Sequence, residues 1–398
     1  PHPLDTHRHV DRIKAKTFHF LLLPFYLIMS LGLYIHIPFC RSRCPYCDFA
    51  FVVRQTHLAK RYTNAVVHEL QTQINAFDTN TTFDTLYFGG GTPSHMPPQY
   101  IEQILNAVQK HASLSSNAEI TVEANPGDQS HFSTLKKTGV NRLSLGIQAL
   151  TDRALKALGR FHNTEDALDA FKAARATGFT NIGIDLIFGA PKQTQEEWTT
   201  ILKEAVTLNA EHISVYGLTI EPDTNFDKRA KKQQLPLPTE TLQSNMFLRT
   251  IDHLTAAHYE HYEISNFAQP NFASQHNQSY WEGKPYLGVG LSAHSFINNK
   301  RIWNVTDLQT YMQSVENTGL AVASSETIDA NKHLLEKIML GIRRKKGLDI
   351  DFLEQHTPIQ LQHLLNHNLL ENHQNRIRLT RKGLLIADAV CTELVKDL

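Results

Sequence analysis

The sequence predicts an α/β protein built on a parallel sheet, either doubly wound or curled into a full or partial TIM-like (β/α) barrel. Three observations carry this expectation. Short apolar runs of four to eight residues alternate with longer stretches in which apolar residues recur every three to four positions. Residue types able to bind ligands fall just after the apolar runs, at the carboxyl ends where parallel sheets place their sites. The balance of 41% hydrophobic and 20% charged residues over 398 positions is that of an ordinary globular chain of two or three domains.

In chain order, strands are expected at 31–37, 85–88, 119–123, 142–147, 181–188 and 212–218, with helices at 58–77, 99–112, 129–138, 151–177 and 194–208. The strands are too regularly separated by helical patterns for a hairpin protein, so crossovers and parallel pairing follow. Residues 222–238 are polar and basic and read as a long loop before a helix near 239–258, which places a boundary near 236. Beyond 330 come helices at 331–345, 350–355 and 358–366, a hairpin at 369–380 turning at 373–375, and a last helix at 381–396. Helices followed by a two-stranded wing suggest a small winged-helix-like domain. The chain thus divides into 1–28, 29–236, 237–329 and 330–398.

Residues 1–28 carry an apolar run, 18–28, after Arg8, Arg12, Lys14 and Lys16, but the run holds His19 and Pro24 and falls short of a membrane span. We expect upstream or extraneous sequence there, with the working protein beginning near Met29. Lys+Arg and Asp+Glu are equal at 39 each, so no long-range field draws the molecule to nucleic acid or acidic lipid. The basic run at 343–346 is followed at once by Asp349, Asp351 and Glu354 and reads as a solvated charge run.

Three of the four cysteines, Cys40, Cys44 and Cys47, lie in PFCRSRCPYCDF, directly after the first strand. So tight a group in a cysteine-poor chain points to a metal or redox site in a reducing compartment, hence a cytoplasmic protein. Three thiolates on one loop suit a [4Fe-4S] cluster, leaving one iron open for an outside ligand. Structural zinc would need a fourth ligand, for which His36 and His57 are nearest, and a redox dithiol would use Cys44 and Cys47. The run FGGGTPS places Gly89, Gly90, Gly91 and Thr92 at the next strand end, where bare backbone N–H and C=O groups can hold an amine or carboxylate. It lacks both the G-x-G-x-x-G and the Walker spacing.

LYIHIPFCRSRCPYC followed by FGGGTPS resembles the radical S-adenosylmethionine (SAM) proteins of the oxygen-independent coproporphyrinogen III oxidase group, over residues 31 to about 395. The resemblance implies a partial (β/α) barrel of the radical SAM type. It implies that Cys40, Cys44 and Cys47 hold the cluster. It also implies that the open iron is chelated by SAM, with Tyr34, Gly90, Gly91, Thr92, Glu123, Gln148, Arg160 and Asp185 where the group contacts that molecule. The group's oxidases carry a further Cys two residues after the third, where this chain has Phe49; its heme chaperones lack that Cys and carry His-Asn-x-x-Tyr-Trp, matched here by His276, Asn277, Tyr280 and Trp281. An imidazole beside large aromatic faces suits a heme iron and its flat macrocycle.

The resemblance therefore implies a heme chaperone that binds heme and passes it to an acceptor protein, with peripheral membrane contact open and no nucleic-acid partner. The alternative is oxidative decarboxylation of coproporphyrinogen III. A third, RNA-modifying reading rests only on the basic run at 343–346.

Overall fold

The computed structural model describes residues 30–77 and 81–398; the segment 1–28 lies outside the described residues. Twelve strands form one sheet, numbered here in chain order. They are β1 (Ser30–Ile37), β2 (Thr82–Gly90), β3 (Ser113–Ala124), β4 (Arg142–Gln148), β5 (Ile182–Phe188), β6 (His212–Gly217), β7 (Glu260–Glu263), β8 (Asn266–Ala268), β9 (Tyr286–Val289), β10 (His294–Ile297), β11 (Lys300–Asn304) and β12 (Val322–Thr327). Their spatial order is β12-β11-β10-β9-β1-β2-β3-β4-β5-β6-β8-β7. The seven central strands, β9 and β1 to β6, are mutually parallel, and antiparallel strands extend both edges. The order does not close on itself, so the parallel part is an open (β/α) barrel.

Each parallel strand is apolar on the face that meets the helices and polar on the other, because successive side chains point to opposite faces. On β1 the inward set is Gly32, Tyr34, His36; on β2 Thr85, Tyr87, Gly89; on β3 Glu119, Thr121, Glu123; on β4 Arg142, Ser144, Gly146, Gln148. The outward set (Leu33, Ile35, Leu86, Phe88, Val122, Leu143, Leu145) is fully or almost fully buried under the helices in the main core. Register aligns the inward residues in layers: Gly32 with Thr85 and Glu119, then Tyr34 with Tyr87 and Thr121, then His36 with Gly89.

Several boundaries differ from expectation for local reasons. The helix expected over 151–177 is two, Asp152–Ala157 and Thr164–Ala176; Gly159 turns left-handed at φ +69°, and Asn163 restarts the chain with a capping box to Asp166. The expected loop at 222–238 contains a helix, Asn225–Lys231, capped by Thr224 onto the Asp227 amide. Residues 237–329 do not leave the sheet at 236: β9 returns to pair with β1, and β10 to β12 continue that edge. Buried Glu69 fastens this edge, accepting from the Gly290 amide, Tyr311 and Asn304.

A second, separate core forms beyond 330 from Ile338, Ile342, Leu353, Leu361, Ile377 and Leu394 among others. It joins helices Ala330–Gly341, Ile350–His356 and Pro358–Asn366 to a small sheet of Leu348–Asp349, Arg376–Leu379 and Leu370–His373. The final helix is interrupted into Arg381–Leu384 and Ala387–Val395. The basic run at 343–346 is not simply solvated: Arg343 and Arg344 are 16% and 17% exposed and pair with Asp388 and Glu282.

Candidate functional site

The carboxyl ends of β1 to β5 open onto one mouth. The loop after β1 bears the three cysteines, all free and half-buried, and is closed at its base where Phe39–Cys40 pairs with Val52–Val53. Its turn is set by the Cys47 amide donating to the Cys44 carbonyl at 3.2 Å. The helix that sequence reasoning missed pins it from outside: the Phe226 amide donates to the Pro45 carbonyl at 2.8 Å, and Phe226 packs against Tyr46.

Cys40 Sγ is 3.6 Å from Thr92 Oγ1, and Arg160 Nη1 donates to Cys44 Sγ at 3.1 Å. Burial pushes the Cys40 thiol up to about 11 and raises that of Cys47. A bound metal centre offsets that cost, because coordination deprotonates a thiol outright. Zinc in a structural site takes four ligands, whereas a cluster accepts three thiolates on three irons and leaves the fourth open, so a set of three cysteines fits a cluster. Neither expected fourth zinc ligand is placed for that role. His36 is buried with its ring nitrogens at 3.1 Å from Tyr34 Oη and 2.7 Å from the Ala50 carbonyl, and His57 is exposed in a separate turn.

The expected SAM residues do gather at the mouth. Arg160 also donates to Asn125 Oδ1 at 2.6 Å and to the Gly146 carbonyl at 3.1 Å, and Asn125 Nδ2 donates to Thr92 Oγ1 at 2.9 Å. This ties Cys40, Cys44, Thr92 and Arg160 into one network through Asn125. Gln148 ends β4 in a left-handed conformation at φ +69°, and Asp185 accepts from Ser144 at 3.3 Å. Glu123 accepts from Tyr87 Oη at 2.8 Å and the Gly90 amide at 3.1 Å, yet burial holds its carboxyl up at about 7. Tyr34 packs on Tyr87 with ring centroids 6.2 Å apart.

The glycine run behaves differently from expectation. The amides of Gly90, Gly91 and Thr92 are spent inside the protein, on Glu123, the Ile37 carbonyl and the Phe39 carbonyl. The Thr92 carbonyl accepts from the His95 amide, so the carbonyls of Gly90 and Gly91 are what the run offers a ligand, which suits an amine and not a carboxylate. Gly90 is required sterically: at φ +112° a Cβ would stand 2.5 Å from the His36 ring.

The four residues expected around heme do not share one open surface. They lie on helix Gln275–Trp281, whose first amides at Gln275 and His276 donate to buried Glu119. His276 is 1% exposed, with Nδ1 2.7 Å from Thr85 Oγ1 and Nε2 2.9 Å from Tyr280 Oη, and its ring stacks on Tyr87 at 5.0 Å. Burial, with Arg142 nearby, lowers its pKa to about 3. Both ring nitrogens are therefore occupied, and the imidazole sits in the Gly32–Thr85–Glu119 layer, below Tyr34 and Tyr87 and away from the mouth. Tyr280 and Trp281 line two different cavities, of about 420 and about 350 Å³; Asn277 is half-buried, its amide donating to Ser274 Oγ as part of the helix cap.

Arg142, Ser144 and Glu119 carried no site role in the sequence reading, although one signal pointed to them. Polar residues at alternate positions of β3 and β4 mark one face of a parallel strand that apolar side chains would otherwise fill.

These features define the class: a radical SAM fold with a three-cysteine mouth. Residues 34–205 match the Radical SAM superfamily model, and residues 328–386 match the HemN C-terminal domain. The heme chaperone HemW of Bacillus subtilis is 34% identical over 368 residues, covering 90% of this chain and 97% of the relative. That of Escherichia coli is 38% identical over 272 residues, covering 66% and 69%. The structure of E. coli coproporphyrinogen III oxidase (HemN), described as a radical SAM enzyme, superposes with a TM-score of 0.81 at 26% identity, over 93% of this chain and 91% of that one. The chain belongs to the HemW family of radical SAM proteins. That family implies a [4Fe-4S] cluster and SAM. Among the described residues no helix is long and apolar enough to cross a membrane.

Proposed function

We propose that the chain is a heme chaperone, which binds heme, carries a SAM-chelated [4Fe-4S] cluster at Cys40, Cys44 and Cys47, and passes heme to an acceptor protein in a reducing compartment. The observation that carries this reading is Phe49. It stands, 64% exposed, where the oxidases of the group have a further cysteine, in a chain whose relatives along nearly its whole length are named heme chaperones.

When bound, the cluster supplies one electron toward the sulfonium of SAM. The chain's own residues hold the parts. Arg160 places a guanidinium 3.1 Å from Cys44 Sγ and holds that side chain in position. Glu123 offers a carboxylate to the SAM amine beside the free carbonyls of Gly90 and Gly91, and Tyr87 with the Gly90 amide fixes its orientation. Thr92 and Asn125 brace Cys40; Gln148 and Asp185 line the far side of the mouth, and Tyr34 floors it. For heme, Tyr280 and Trp281 each offer an aromatic face, on two separate cavities.

The test is anaerobic, on cluster-reconstituted protein. Saturable hemin binding, handed over to an apoprotein acceptor, with no protoporphyrinogen formed from coproporphyrinogen III above blank, is the expected result. Porphyrinogen turnover well above blank without hemin binding overturns the reading in favour of the oxidase, the second reading that the 26% identical HemN structure supports.

A further inference from the structure

Since His276 has no free nitrogen, the iron ligand must be sought elsewhere, and the cavity of about 420 Å³ beside Tyr280 holds a candidate. It lies between the end of helix Gln275–Trp281, strands β9 to β11 and helix Ala330–Gly341. Tyr280, Tyr286 and Phe296 are its aromatic walls, Lys284 and Arg301 its cations, and of its two lining histidines His36 is buried and His294 exposed.

We propose that heme seats in this cavity with His294 as its protein ligand to iron and Lys284 facing its propionates. The proposal rests on the heme-chaperone reading and names the site for it.

Four observations support it. The His294 ring is exposed, and among the described residues neither of its nitrogens makes a hydrogen bond, whereas buried His36, His261 and His276 are all committed. The ring is oriented by stacking on Trp303, its cross-strand partner, with centroids 5.9 Å apart and planes 21° off parallel. Partial burial and Arg301 lower its pKa, so the neutral, metal-binding form prevails at neutral pH. Tyr280 and Tyr286 meet edge to face at 4.6 Å, giving the macrocycle an aromatic wall already packed.

The cations differ in what they offer. Arg301 is tied to Glu326 and Glu336 and forms wall. Lys284 is exposed, spends one of its three donors on Glu282, and keeps the others for a carboxylate. A cavity of this size covers part of a tetrapyrrole and leaves an edge in solvent, as a cargo that must be handed on requires.

The test is hemin titration of the full, cluster-reconstituted chain, followed by absorbance, in the wild type and in His294→Ala, His294→Met, His276→Ala and Lys284→Glu. We expect His294→Ala to lose the histidine-ligated spectrum and to bind at least roughly tenfold more weakly, a cost of about 1.4 kcal/mol. Added imidazole should restore the spectrum. His294→Met should fold normally and change the spin state or reduction potential. His276→Ala should keep the wild-type ligand spectrum, and Lys284→Glu should weaken binding with the spectrum unchanged. A wild-type spectrum in His294→Ala, or loss of the ligand spectrum in a folded His276→Ala, overturns the assignment while leaving the chaperone reading standing. Absence of hemin binding in the wild type overturns both.

Discussion

The cysteine loop and helix Gln275–Trp281 are the two segments whose residue types most strongly suggest ligands, and they are built in opposite ways. At the loop, three half-buried thiols have sparse partners, among them a hydroxyl 3.6 Å from Cys40 and a guanidinium 3.1 Å from Cys44, and burial works against the ionisation of Cys40 and Cys47. On the helix, His276 has a partner at each nitrogen, a tyrosine ring against its face and a carboxylate at its amide. A group kept for a ligand is left with unmet capacity, whereas a group that holds the fold has none. The loop is arranged for cofactor binding, and the centre of the helix is arranged for packing.

The sharpest way to break this contrast is to remove one member of each. Cys44→Ala should abolish essentially all cluster-dependent absorbance, iron and sulfide after reconstitution, while the urea midpoint hardly moves, because the thiol is half-exposed and packs little. His276→Ala should do the reverse. It leaves the hydroxyls of Thr85 and Tyr280 unpaired around a cavity, at a cost of about 3 kcal/mol in urea unfolding, while iron and sulfide content stays at the wild-type level.

Glu123 gives a third, smaller test. Its folded pKa of about 7 lies above the unfolded value of 4.5, so between these the folded state binds more protons and stability falls as pH rises. The stability of the wild type relative to Glu123→Gln should therefore decline by about 3 kcal/mol between pH 4.5 and pH 8. His36, His162 and His261, each lowered to about 4 by burial, push the other way, but they are present in both proteins and cancel in the difference. A difference that does not vary with pH would show that Glu123 is ionised throughout. Smallest of all, Arg381→Ala removes an exposed pair with Asp252 and should change stability by less than about 0.5 kcal/mol.

The contrast also explains what the sequence disclosed. The parallel strands, the cysteine loop and the polar strand ends were readable, because strand alternation and loop spacing are local properties. The helix Asn225–Lys231 was hidden by its polarity, although its Thr224 cap and the Asp227 after it were in plain view. His276, Tyr280 and Trp281 were read as one group because they are close in sequence. On a helix, positions 276 and 280 face one way and 281 turns about a hundred degrees further, and the sheet buried the first face. His294 gave no signal among 22 histidines, since its free imidazole depends on β9, β10 and β11 meeting helix Ala330–Gly341 across the fold.

The central claim is that the mouth holds a cluster with one iron open to SAM. Its most direct test is the electron paramagnetic resonance spectrum of the reduced, anaerobically reconstituted chain, recorded with and without SAM. The account predicts a [4Fe-4S] signal in wild type that shifts when SAM is added and is absent in Cys44→Ala. A wild-type protein with no cluster signal, or with a cluster signal indifferent to SAM, would contradict it.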